Sequence, residues 1–335
     1  MPFFRKKSKS IDFSELDPPW DRSRVGIYEF VSKHIDPATG ILSDDGQTLP
    51  DENEIYEEGE IRWVAGGRDG AFGHHHVNSC ESDQIDKLLT SLKNTIDKPD
   101  PKKLRDFYNL LLNFEVINFI DPFLEKLSQR EDIDGEKFFE LSKYLLLNSP
   151  DREVVKVSCA FIGVFGSEKD CQLLLTIGKH EEFTLYASVA ISNCSEDAEV
   201  KLFRLARSVT GWGRIHLIEL LEGTENQEIK NWLLKKGFDN SIMREYTASI
   251  CATTGDLHGA LTEKPVDREI LAGAAQILSS FNPPGPDLEY YEEAPAVVQL
   301  LIDELKEVEI SVEEIIALHS LRSQLEEISS DETKP

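Results

Sequence analysis

Between residues 66 and 80 the chain gathers the groups best suited to chemistry: Gly66-Gly67-Arg68-Asp69-Gly70-Ala71-Phe72-Gly73-His74-His75-His76, with Cys80 close behind. Gly66, Gly67, Gly70 and Gly73 are the candidate cofactor-binding residues. A glycine turn running into a helix can present backbone amides and the positive end of the helix dipole to a pyrophosphate. Their spacing departs from G-x-G-x-x-G. The segment reads as a flexible loop behind a short strand, Ile61-Arg62-Trp63-Val64-Ala65, with the next helix starting near Ser82. His74 and His76 are the candidate metal ligands. On an extended chain alternate side chains face one side, so two imidazoles could share an ion, and the acidic stretch 51–60 could supply a carboxylate.

Elsewhere the residue types for catalysis lack the required pattern. There is no GxSxG elbow, no P-loop and no HExxH. Asp132-Ile133-Asp134-Gly135 resembles the end of a calcium loop, but Arg130 and Leu141 stand where the first and twelfth ligands belong, so it reads as a helix start. A haem-thiolate centre needs a cysteine in a Gly- and Arg-containing loop, whereas Cys159, Cys171, Cys194 and Cys251 lie in or beside apolar helical stretches. With Cys80 they make five cysteines and no CxxC pair. That pattern predicts buried free thiols in a reducing compartment rather than disulfides or structural zinc. Trp212 and Trp232 read as core residues, and His180, His216, His258 and His319 as individually satisfied histidines.

Charge narrows the partners. The 335 residues carry 36 basic against 62 acidic side chains, a net −26. Such a surface repels phosphate backbones and anionic lipid, which argues against nucleic-acid and membrane binding. The basic first residues are followed by no apolar run, and no stretch approaches the ~18 apolar residues of a membrane span. The expectation is a cytoplasmic protein.

The elements that would position these groups fall into three parts. Residues 1–81 form an irregular, partly α+β segment with a short helix near Val25–His34, a solvated acidic loop over Asp44–Glu60 and the Gly/His loop. Residues 82–328 read as helical almost throughout, and 329–335 as a disordered tail. Ile85, Leu88, Leu89 and Leu92 fall at i, i+3, i+4 and i+7, one apolar stripe. Ser167, Ser195 and Thr224, at steps of 28 and 29, each precede a helix; Thr224 with Gln227 and Ser311 with Glu314 have the form of a capping box, and Ser167 with Asp170 is a near relation of one. Asp151-Arg152-Glu153 recurs as Asp267-Arg268-Glu269 after 116 residues, four steps of 29. Helix pairs with that period must stack on their neighbours to bury their apolar faces. Small-residue helices such as Ser158-Cys159-Ala160-Phe161-Ile162-Gly163 and Ala187-Ser188-Val189-Ala190-Ile191-Ser192 beside Leu-rich partners resemble degenerate HEAT repeats over roughly 150–280. The fold class expected is mainly α, a HEAT-like α-solenoid of antiparallel helix pairs.

Two longer strings, Asp12 to Val31 (DFSELDPPWDRSRVGIYEFV) and Glu60 to His75 (EIRWVAGGRDGAFGHH), carry a resemblance to a small bacterial family named limonene hydroxylase. The resemblance implies an oxidoreductase that oxidises limonene to carveol and perillyl alcohol. It also implies NAD as the cofactor of further dehydrogenation to carvone and perillyl aldehyde, and a small apolar substrate. It supplies no catalytic residues. The residues alone favour the alternative, a non-catalytic helical-repeat scaffold gripping a protein partner in its concave face, while the resemblance places the terpene-oxidising activity first.

Overall fold

The computed structural model describes residues 12–55, 59–60, 62–75 and 80–331. Among these the protein is all-α, with eighteen α-helices, a few short 3-10 turns and a single isolated antiparallel bridge between Ile35 and Leu42. No described helix is long and apolar enough to cross a membrane. The chain divides into two compact units, Met1–Gly213 and Arg214–Pro335.

In the first unit the helices are α1 (Ile27–Lys33), α2 (Glu52–Ile55), α3 (Gly67–His75), α4 (Ser82–Asp97), α5 (Pro101–Leu111) and α6 (Val116–Ser128). They continue with α7 (Gly135–Asn148), α8 (Arg152–Phe165), α9 (Cys171–Ile177), α10 (Glu181–Cys194) and α11 (Ala198–Ala206). The α4 stripe is buried as its period requires, Ile85, Leu88, Leu89 and Leu92 all facing the core. Helix α8 lies at the centre, packed on α1, α5, α6, α7 and α10. Gly163 of α8 lies so close to α10 that an added Cβ would stand 2.7 Å from the Ala190 Cα, which is why the small residues of these helices matter. Phe119, Phe123, Phe161, Phe138 and Phe165 form a chain of ring contacts across α6, α7 and α8.

The unit boundary falls within α12 (Gly211–Leu220). Beyond it come α13 (Gln227–Trp232), α14 (Glu245–Thr254), α15 (Leu257–Thr262), α16 (Arg268–Ser279), α17 (Ala294–Leu305) and α18 (Val312–Asp331). In this second unit α16 takes the central place, packed on α14, α15, α17 and α18.

The structure corrects several expectations. Residues 62–64 belong to no strand, and Ile61 lies outside the described residues. The isolated bridge among the described residues pairs Ile35 with Leu42, and the Val64 carbonyl instead accepts from the Gly67 amide at the start of a helix. The glycine segment expected as a flexible loop is helical from Gly67 to His75. The acidic stretch is not wholly solvated, because Asp51 is buried. Ser195 closes α10 while Asp197 precedes α11, and Asn226 rather than Thr224 caps α13. The boxes at Ser167–Asp170 and Ser311–Glu314 do form.

Candidate functional site

The densest group of charged side chains lies beneath α3, where the Gly-rich segment meets α8 and α10. Lys156 projects from α8 into a fully enclosed position. Its Nζ stands 2.8 Å from Asp69 Oδ2 on α3, 2.8 Å from Glu153 Oε1 on α8 and 2.6 Å from Glu182 Oε1 on α10. One turn back on α8, Arg152 is also buried and grips Asp51 through Nε and Nη2, the latter at 2.8 Å, and Glu52 at 2.5 Å. The sequence places Arg152, Glu153 and Lys156 on one side of α8 through their i, i+1 and i+4 spacing.

Electrostatics follow from the count. Two buried cations, Arg152 and Lys156, face five carboxylates, Asp51, Glu52, Asp69, Glu153 and Glu182, and the exposed Arg62 reaches Glu52 from outside at 3.8 Å. Burial opposes the charge on Lys156, yet Glu153, Glu182 and Asp69 hold it well above the ordinary lysine value. Burial would likewise raise the Glu182 carboxyl, but Lys156, Arg152 and the Gly66 amide hold it down at about 2. Asp69 absorbs the surplus negative charge. Burial pushes it above the ordinary carboxylate range, Lys156 pulls against that, and Glu153 and Glu182 push it further. The Tyr186 ring lies 6.0 Å from the Lys156 ammonium, and burial together with the Asp69 carboxylate raises its phenol. Buried His180 bridges from α10 to the N-terminal segment, its Nε2 3.1 Å from the Gln47 carbonyl and its Nδ1 accepting from the Glu182 amide. Burial pushes this imidazole down to about 4, so it is neutral at physiological pH.

Such an arrangement limits the available chemistry. A lysine held cationic is neither a nucleophile nor a Schiff-base former, since both need the free amine. Asp69 is the carboxyl of this group that burial pushes upward, against the pull of Lys156. Two surface depressions stand out among the described residues, and both lie elsewhere. One, of about 500 Å³, is lined by Asp83, Asp86, Lys87, Thr90, Ser91 and Asn94 of α4, and one of about 280 Å³ lies at 240–245 with Ser279 and Ser280.

The candidate cofactor residues are drawn into this same seam. Gly66 has φ +67° and its amide donates to Glu182 Oε2 at 2.9 Å. The Gly67 amide donates to the Val64 carbonyl and the Gly70 amide to that of Gly66. The anion at the start of α3 is therefore the protein's own Glu182, in the place a pyrophosphate would need. Gly70 lies against the Trp212 indole so closely that a Cβ would overlap Trp212 Cε3, and one on Gly67 would stand 2.8 Å from Val64 Cγ2. Gly73 is exposed, with open space around it. His74 lies in the last turn of α3, a helical rather than extended backbone, and His76 lies outside the described residues. Among the described residues no group of three or more His, Cys, Asp or Glu side chains is arranged to hold a metal.

Comparison with protein-family models, with curated proteins and with solved structures finds no match for this chain.

A second set of contacts fastens the earlier string, Asp12–Val31, to the same helices. Arg24 makes a fork to Asp151, Nη1 to Oδ2 at 3.0 Å and Nη2 to Oδ1 at 2.8 Å. The Tyr108 hydroxyl donates to Asp151 and lies 2.7 Å from Ser149 Oγ. Trp20 packs on the rings of Tyr108 and Tyr144. The sequence reading missed Asp51, Asp69, Glu153, Lys156 and Glu182, since nothing local ties residues so far apart. One signal was present: Gly67 and Gly70 sit at i and i+3, a small-residue face suited to a helix packed on an aromatic ring.

Proposed function

We propose that this protein is a non-catalytic helical-repeat scaffold, its helices over roughly 150–280 forming a HEAT-like array that holds a protein partner in its concave face. The observation that carries the reading is the closure of the Gly66–His75 segment. The amides and charged side chains best suited to chemistry are engaged in fastening that segment to α8 and α10. The helix starts support the repeat. Helices α8, α10, α12, α14 and α16 begin at 152, 181, 211, 245 and 268, steps of 29, 30, 34 and 23 that average 29. Arg152 and Arg268, one full recurrence apart, each open a helix and each reach a carboxylate on a distant segment, Asp51 and Glu314 respectively.

The rival proposal, limonene oxidation with NAD-dependent dehydrogenation, makes the opposite prediction for homogeneous protein. We expect no NADH formation with carveol or perillyl alcohol and no oxidation of limonene. We also expect a radius of gyration in solution scattering above the about 20 Å of a compact globule of this length. Sustained turnover by protein free of host enzymes overturns the scaffold reading. A Gly67→Val/Gly70→Val variant is a poor control for cofactor binding, because Gly70→Val alone collides with Trp212.

A further inference from the structure

We infer that the start of α18 and the segment leading into it form a docking surface for a basic amphipathic helix of a partner protein, an inference that rests on the scaffold reading above. Five large apolar side chains within nine residues are exposed: Val308 at 38%, Ile310 at 40%, Val312 at 67%, Ile315 at 56% and Ile316 at 62%. Isolated exposed apolar residues are ordinary, but a run of this density marks an interaction site. The helix geometry explains why they stay exposed. At 100° per residue Glu314, Ala317 and Leu321 share one arc of α18, and these are the residues it buries, with α16 as its neighbour. Val312 and Ile316 fall on the opposite side, so the first turns of α18 present an apolar face to solvent.

The charges around the patch select its occupant. Glu307, Glu309 and Glu313 are exposed beside it. The nearby cations are taken: Lys306 pairs with Asp303, Lys264 with Glu304 and Arg268 with Glu314. An apolar strip framed by free carboxylates is complementary to a helix carrying Leu or Ile on one face and Lys or Arg beside it. A second copy of this chain would bring the same carboxylates face to face.

The test uses the full-length protein and a fluorescein-labelled synthetic 18-residue peptide with Leu at i, i+3, i+4 and i+7 and Lys at its remaining polar positions. Binding is read by fluorescence anisotropy against the wild type and the Ile315→Asp/Ile316→Asp variant. Both substituted residues are exposed, so circular dichroism should show unchanged helicity. The proposal expects affinity to fall at least about tenfold in the variant, as when a central apolar contact is lost. Association through charge alone would instead tighten, since the variant adds two carboxylates. Equal or tighter binding by the variant overturns the proposal, as does absence of binding by the wild type. So does a concentration-dependent dimer in sedimentation velocity that the variant abolishes, which assigns the patch to a second copy. The scaffold reading fails separately, through limonene or carveol turnover, a result the peptide titration does not influence.

Discussion

Lys156 remains charged inside the protein because three carboxylates from three helices reach its ammonium, each within 2.8 Å. The arrangement is asymmetric in its tolerance. Lys156→Met leaves Asp69, Glu153 and Glu182 enclosed around an apolar side chain, and breaking a buried pair in this way costs about 3–5 kcal/mol. Asp69→Asn removes the surplus charge that burial already disfavours and leaves Lys156 paired with two glutamates, so its cost should stay within about 1 kcal/mol. Urea unfolding at pH 7 separates the two. Equal losses would contradict the assignment of Asp69 as the group that absorbs the excess. His180 governs the acid side. Its folded value is pushed down to about 4 from 6.5, so the unfolded chain takes up the proton first as pH falls. Its stability contribution is therefore fully present above pH 6.5 and lost as pH falls towards 4, a loss of about 3 kcal/mol. Glu182, held at about 2 against an ordinary 4.5, adds a further loss below pH 4.5. His180→Gln, which keeps polar groups but does not titrate, should flatten the slope between pH 6.5 and 4.5. An unchanged slope would place the acid sensitivity elsewhere.

At the level of elements, α3 shows how tertiary contact overrides local preference. Three glycines in nine residues form a poor helix by propensity, each costing about 1 kcal/mol relative to alanine in a helix interior. The segment is nonetheless helical because Asp69 pairs with Lys156 below it and Trp212 lies flat against the space where Gly70 lacks a side chain. Gly70→Ala tests the balance. It improves propensity yet places a methyl group into the indole, and overpacking of this kind costs about 1–3 kcal/mol. Slower hydrogen exchange in 67–75 of the variant would mean that propensity wins. Faster exchange there, with α4–α7 unchanged, is the expected outcome. Gly73→Ala, at a position with nothing near it, should stabilise the same helix slightly.

Over the whole molecule, the sequence by itself determined the helical class. Apolar stripes such as Ile85, Leu88, Leu89 and Leu92 declare their buried face because a helix brings i, i+3, i+4 and i+7 together without reference to any other segment. Local start signals were legible for the same reason: Asp134 caps α7, and Ser311 with Glu314 closes its box. Where two polar residues compete for one helix start, as Ser195 with Asp197 and Thr224 with Asn226, sequence alone did not choose, since the outcome depends on where the preceding helix ends. The tertiary structure alone decided the fate of Gly66–His75 and of the acidic stretch before it. Asp51 is buried because Arg152, 101 residues further on, comes beneath it. The Gly66 amide is spent on Glu182, 116 residues away, and Gly70 is glycine because Trp212 folds back against it. Ion pairs and close approaches between distant segments leave no periodic trace, because their partners are set by how helices stack and not by spacing along the chain.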